Sequence, residues 1–323
     1  MRVILRLVLL ICIIAVAGAG MAAWVMHQFD RPGPAKSEIT VVVEKGDGLA
    51  AIAEQLAEHG LIADPLIFRL GVQATGTAAK LRAGEYAFAP GVSMRAVAEK
   101  LAAGRTVTRR LTVPEGLTSA EITSMVMASD GLIGDTGAVP AEGTLLPETY
   151  HYAFGDDRAE MIARMRAAMA DALAELWPQR AADLPLASPE EAVTLASIVE
   201  RETGIAAERP RVAAVFINRL KLGMPLQADP TVAYARMLEG QPIDRPLTRA
   251  DLERPSAYNT YLVRGLPPGP IANPGRASLA AVLDPADTDE LYFVADGSGG
   301  HAFARTLSEH NRNVAEWRRR NAK

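Results

Sequence analysis

The sequence predicts an α+β protein with a single N-terminal transmembrane helix, and three observations predict it. Leu7 to Met26 is a run of twenty residues without a charge. Beyond it, short stretches of alternating or β-branched residues are interleaved with stretches at helical spacing. Between Asp157 and Leu222 three helical patterns then follow one another, two of them opened by proline and closed by glycine.

The apolar run comes first. At about 1.5 Å per residue it spans roughly 30 Å, the thickness of a bilayer's hydrocarbon core. Arg2 and Arg6 precede it; His27, Gln28 and Asp30 follow. The positive-inside rule makes residues 1–6 a cytoplasmic N-terminus and 7–26 the anchor, with the body exported. Trp24 stands where an interfacial aromatic is expected. A cleaved signal peptide is the competing reading, because Ala15-Val16-Ala17 and Ala17-Gly18-Ala19 resemble cleavage sites. The run continues through Met26, however, longer than a usual signal core. A lipoprotein site at Cys12 is disfavoured by the bulky Ile11 before it.

Residues 27–37, with Pro32, Gly33 and Pro34, read as a linker. Residues 38–105 follow as a module: a strand at Glu38 to Val43, a turn at Gly46 and Gly48, helices near 49–59 and 65–73, a strand near 81–88, and a helix near 94–103. The order is β-α-α-β-α. Residues 106–323 form the second domain. It opens on an echo, Leu111-Thr-Val-Pro-Glu-Gly116 before a helix at 118–127, weak enough to be recurring architecture rather than a duplication. Residues 157–177 carry Ile162, Met165, Met169, Leu173 and Leu176 on one stripe, a core face. Ser188 is an N-cap candidate for a helix at 189–203, and Gly223 ends another at 210–222. Leu291 to Val294 is a buried strand, and His310 to Arg320 a closing helix.

Composition excludes several functions. The net charge of -4 is made of interspersed signs with no basic stripe, which argues against nucleic acid. The one cysteine lies in the apolar run, so the body has neither a disulfide nor a cysteine-held metal. The five histidines show no metal spacing. No phosphate-cradling loop and no Gly-x-Ser-x-Gly elbow occur. A pyridoxal-phosphate enzyme would need a Schiff-base lysine, and Lys221 is the only one between Arg105 and Lys323.

The polar residues that could do chemistry concentrate between Glu200 and Tyr261. Two positions on a helix are about 200° apart, so Glu200 and Glu202 cannot face one site together. Glu202 lies above Ile198 and Val199, where desolvation would raise its pKa toward that of a general acid at neutral pH. Glu200 should turn away, toward an arginine or a backbone group. Asn218 on the helix at 210–222, and Gln227, Tyr258, Asn259 and Tyr261 on the loops beyond it, dense in proline and glycine, carry amide and phenol groups suited to a sugar. Asp229 either stabilises a cationic transition state or caps the turn before Pro230.

Several ordered blocks then carry a resemblance. They are Leu195-Ala-Ser-Ile-Val-Glu-Arg-Glu-Thr203, Arg211 to Leu220, Gly223 to Val232, Ala257-Tyr-Asn-Thr-Tyr261, and Gly265-Leu-Pro-Pro-Gly-Pro-Ile-Ala-Asn-Pro-Gly275. Glu142 to Tyr150, Leu291 to Gly297 and Gly300-His-Ala-Phe303 with His310-Asn311 add to them. Together they resemble the MltG (YceG-like) endolytic murein transglycosylase family over nearly the whole chain. Ala228 and Asn273 depart from its more usual Ser or Thr. The resemblance implies a LysM-like β-α-α-β module, a mixed α/β lysozyme-like catalytic domain, and Glu202 as the catalytic acid. It implies cleavage of the MurNAc-GlcNAc bond of nascent peptidoglycan glycan strands with a 1,6-anhydro end, limiting strand elongation, without cofactor or metal. Location in a bacterial inner membrane with a periplasmic body, and contact with peptidoglycan synthases, are further implications. A hydrolytic muramidase and a non-catalytic glycan-binding scaffold are the alternatives.

Overall fold

A computed structural model describes residues 2–321. Met1, at the head of the expected cytoplasmic segment, and the last two residues of the expected second domain lie outside the described residues. The architecture is α+β with one long apolar N-terminal helix, and the chain divides into two compact units. Among the described residues, the first holds 2–110 with 130–132 and 151–156; the second holds the remainder.

The first unit begins with α1 (Arg2–Asp30). Then come β1 (Ile39–Val43), α2 (Leu49–Glu58), α3 (Pro65–Ala74), β2 (Gly84–Phe88) and α4 (Met94–Ala103). β1 and β2 pair antiparallel, Ile39 opposite Phe88 and Val43 opposite Gly84. Val41, Val43, Tyr86 and Phe88 turn one face inward, where Leu56, Phe68, Val72, Val97 and Leu101 cover it. Asp64 caps α3 by accepting from the Leu66 and Ile67 amides, and Pro65 fits the first turn.

Residues 27–37 are not the free linker that their prolines suggest. α1 runs unbroken to Asp30, and Val25 and Phe29, one turn apart on one face, are buried in the unit's core. The polar His27 and Gln28 lie off that face, which is why the apolar run seemed to stop at Met26. Arg95 pairs with Asp30 and lies over the Phe29 ring. Gly33 donates to the Val92 carbonyl at 3.0 Å, and the Ala35 carbonyl accepts from Gly91 at 2.9 Å. The segment is therefore part of the module. Gly71, inside α3, answers to the same packing: a Cβ there would lie 2.4 Å from the Phe29 ring.

The second unit takes in most of the remaining chain. β3 (Arg109–Thr112) pairs with β4 (Thr149–Tyr152). Between them lies α5 (Ser119–Met127), opened by a capping box of Thr118 and Glu121. α6 (Arg158–Leu176) buries Met161, Ile162, Met165 and Met169. α7 (Pro189–Glu202) is capped by Ser188 and is buried at every position from Ala192 to Val199. A helix that is apolar all round has to be enclosed. α8 (Arg209–Lys221), α9 (Asp229–Leu238) and α11 (Arg276–Leu283) pack against it, with the short α10 (Arg249–Leu252) in the chain between the last two. β5 (Tyr292–Ala295) and β6 (His301–Ala304) form a hairpin, closed by α12 (Leu307–Asn321).

Phe29→Ala should destabilise the first unit by about 3–5 kcal/mol, as for other buried aromatics. Gly71→Ala should destabilise the native chain because of the clash. In the Phe29→Ala background the same change should stabilise by about 1 kcal/mol, since only helix propensity remains. Denaturant titrations of the four proteins in detergent check this reversal of sign.

Candidate active site

The chemistry of the second unit gathers at the C-terminal end of α7. Glu200 and Glu202 leave the helix in different directions, as the 200° step requires. Glu200 is buried and satisfied: one carboxylate oxygen accepts from Arg209 at 3.1 Å, the other from the Gly275 amide at 3.0 Å. Arg209 also binds Glu115 at 3.0 Å. Gly275 leaves room for this pair, because a Cβ would stand 1.8 Å from the Glu115 carboxylate. Glu200 thus ties the end of α7 to the starts of α8 and α11.

Glu202, half-buried, has no hydrogen-bond partner for its carboxyl among the described residues. It lines a cavity of 340 Å³ that Arg219, Gln227, Asp229 and Tyr261 also line. Burial pushes its carboxyl up to about 8; the negative charge of Asp229 adds to the rise, and Arg219 opposes it. Such a group is protonated at neutral pH and can donate.

The opposite wall is held by hydrogen bonds. Arg219, buried on α8, donates from Nε to the Leu291 carbonyl and from Nη1 to that of Leu226, both at 2.7 Å. Its guanidinium lies 5.2 Å from the centre of the Tyr292 ring. Gln227 has φ of 52°, the only left-handed residue other than glycine among those described. Such backbone costs about 1–2 kcal/mol and persists only where its surroundings hold it. They do: the Gln227 amide donates to the Thr260 carbonyl at 3.0 Å, and the Ala228 amide to the Thr260 hydroxyl at 3.0 Å. Asp229 opens α9, and the Tyr261 hydroxyl donates to it at 2.5 Å. Burial and that carboxylate push the Tyr261 hydroxyl up, so it stays a donor.

Of the residues proposed from the sequence, Glu202, Gln227, Asp229 and Tyr261 share this cavity. Asn218, Tyr258 and Asn259 do not line it. The Asn218 amide donates to the Thr288 and Glu290 carbonyls and pins the chain ahead of β5. Asn259 donates to Leu252 and Arg254 and accepts from the Tyr261 amide at 3.0 Å, shaping the turn that presents Tyr261. Tyr258 packs edge-on against Tyr234, 5.0 Å between centres. In the other direction, Arg219, His301 and His310 line the cavity without having been chosen. Their distance in sequence hid the two histidines, although both belong to the motif blocks that carry the resemblance. A larger cavity of 530 Å³, between α6 and the start of α7, is walled mainly by apolar groups such as Met169, Leu173, Val193 and Pro270. Its Glu142 is satisfied by Ser119 and Asn273.

Known proteins share this arrangement of sequence. The profile of the YceG-like family matches residues 41–316. An endolytic murein transglycosylase of Bacillus subtilis (strain 168) is 32% identical over 308 residues, covering 86% of this chain and 84% of the relative. One from Streptococcus pneumoniae serotype 2 is 29% identical over 326 residues, 87% of this chain but 58% of that longer relative. The crystal structure of a yceG-like protein from Listeria monocytogenes matches with a TM-score of 0.52 at 31% identity, covering 86% of this chain and 99% of that one. The chain belongs to the YceG-like family.

Proposed function

We propose that this chain is an endolytic murein transglycosylase, with Glu202 as its catalytic acid. One observation carries the assignment of the residue: a carboxyl raised to about 8, in a cavity with Asp229 and Tyr261, at the end of the family's Glu-x-Glu-Thr block. Protonated Glu202 gives its proton to the oxygen of the MurNAc-GlcNAc bond as that bond breaks. The resulting carboxylate takes the proton of the MurNAc 6-hydroxyl as its oxygen closes on C1. The proton is returned, no water is consumed, and a 1,6-anhydro end remains. Asp229 supplies negative charge toward the cationic transition state, and Gln227 and Tyr261 contact the sugar.

The β-α-α-β order of the first unit, with its antiparallel β1 and β2, supports a LysM-like module, and the α7-centred unit supports a lysozyme-like domain. α1 is apolar and exposed along its first twenty-odd residues, with Arg2 and Arg6 at its head. This supports a single-pass anchor in an inner membrane, N-terminus inside and body in the periplasm. Contact with peptidoglycan synthases rests on the family resemblance alone.

Glu202→Gln should lower the rate of anhydro-end formation on purified glycan strands by about 10²–10⁴-fold. Mass spectrometry reads the ends, which are lighter than reducing ends by one water. Reducing ends from the wild type would mean a hydrolase, and full activity of the variant would remove Glu202 from its role. Glu200→Gln should keep the anhydro product while losing stability.

The raised carboxyl also sets a pH dependence. From its ordinary value of 4.5 up to about 8, the folded state keeps a proton that the unfolded chain releases. The contribution of this group to stability therefore falls as pH rises through that window. Glu202→Gln should be neutral near pH 4 and stabilising by about 2 kcal/mol at pH 8, after allowance for solvent at a half-buried group. Wild-type turnover should fall as pH passes 8. Thermal melts and rates across pH 4–9 test both.

A further inference from the structure

The cavity contains an imidazole held by a carboxylate. His301 begins β6, opposite Ala295, at the base of a hairpin tightened by Asp296, which accepts from the Ser298 and Gly300 amides. Glu208, just ahead of α8, grips it twice. One carboxylate oxygen accepts from the His301 amide at 3.0 Å; the other lies 2.7 Å from Nδ1. Gly300 makes room for this grip, because a Cβ there would be 2.8 Å from the Glu208 carboxylate. Phe293 packs edge-on against the ring, 5.5 Å between centres at 89°. A carboxylate oxygen can only accept, so Nδ1 carries the hydrogen, and the ring in its neutral form offers a lone pair at Nε2. Nε2 has no partner among the described residues, and the ring lines the same cavity as Glu202.

A histidine serving only the fold would have both nitrogens engaged or one left to bulk solvent. This one is locked in tautomer and orientation, with its free edge in the site. Gln227 and His310 also line the cavity and can accept, but neither is held by a carboxylate among the described residues. Arg219 can only donate, and Asp229 already accepts from Tyr261. An uncharged acceptor can hold a sugar hydroxyl or acetamido N–H without opposing positive charge that develops at the anomeric carbon.

We propose that His301 is a substrate-contacting residue, its Nε2 accepting a hydrogen bond from an O–H or N–H of the glycan, and that Glu208 is the positioning residue that sets its tautomer. This rests on the reading of Glu202 as the acid. The test separates the two ring nitrogens. Asparagine places its amide where Nδ1 was and can keep the bond to Glu208; glutamine reaches the position of Nε2. In the full chain, His301→Asn and His301→Ala should each lose about 10–100-fold in kcat/KM on purified glycan strands, mainly through KM. His301→Gln should recover at least tenfold over His301→Asn. If asparagine is as active as wild type, or glutamine no better than alanine, the role is structural and the proposal falls.

A second measurement does not depend on the activity of those variants. The Glu202→Gln chain, labelled with ¹⁵N-histidine, is titrated with purified glycan tetrasaccharide, and the His301 signals are assigned by their loss in the His301→Gln double variant. The glycan should move the Nε2 resonance and leave Nδ1 protonated. An Nε2 signal unmoved by saturating glycan overturns the proposal. Full activity in Glu202→Gln would instead overturn the acid assignment, and the titration would still report whether glycan reaches His301.

Discussion

Burial and a neighbouring negative charge raise the pKa of a carboxyl, and the enclosed helix α7 carries Glu202 into such a setting. The helix is buried from Ala192 to Val199, so its end cannot move without disturbing the unit's core. Its last turn then presents two glutamates to opposite environments. Glu200 receives a guanidinium and a backbone amide; Glu202 receives apolar neighbours and the charge of Asp229. The same residue type becomes a structural tie at one position and a carboxyl with a raised pKa two positions later. Neighbours alone make the difference.

Much of the fold was legible because long helices announce themselves. The stripe on α6, the serine cap and proline start of α7, and the proline and glycine bounds of α8 are local signals, and all correspond to helices. α9 was missed although Pro230 stands in its first turn and Val232 and Ala235 share a buried side. The proline-rich surroundings read as continuous loop. α11 is eight residues long and buried, too short to show a period. β4 and β6 are four residues each, and pairing with distant partners defines them more than their own composition does.

The site was legible in part for a related reason. Helix geometry and greasy neighbours made Glu202 plausible, and the ordered motif blocks made it the choice. Asn218 and Asn259 looked like sugar contacts because a side-chain amide is chemically suited to both tasks. Their hydrogen bonds go instead to main-chain carbonyls, which no sequence pattern distinguishes. His301 and His310 come from the far end of the chain, about a hundred residues beyond α7, and only the folded hairpin and α12 bring them in.

The burial of Phe29 bears on how the first unit is carried. A flexible tether over residues 27–37 would let its cargo wander by roughly 17–20 Å. The continuous helix removes that freedom, since the residues that leave the apolar run are the same ones that fill the module's core. The unit is thereby held directly to the end of α1, with little orientational freedom about that helix.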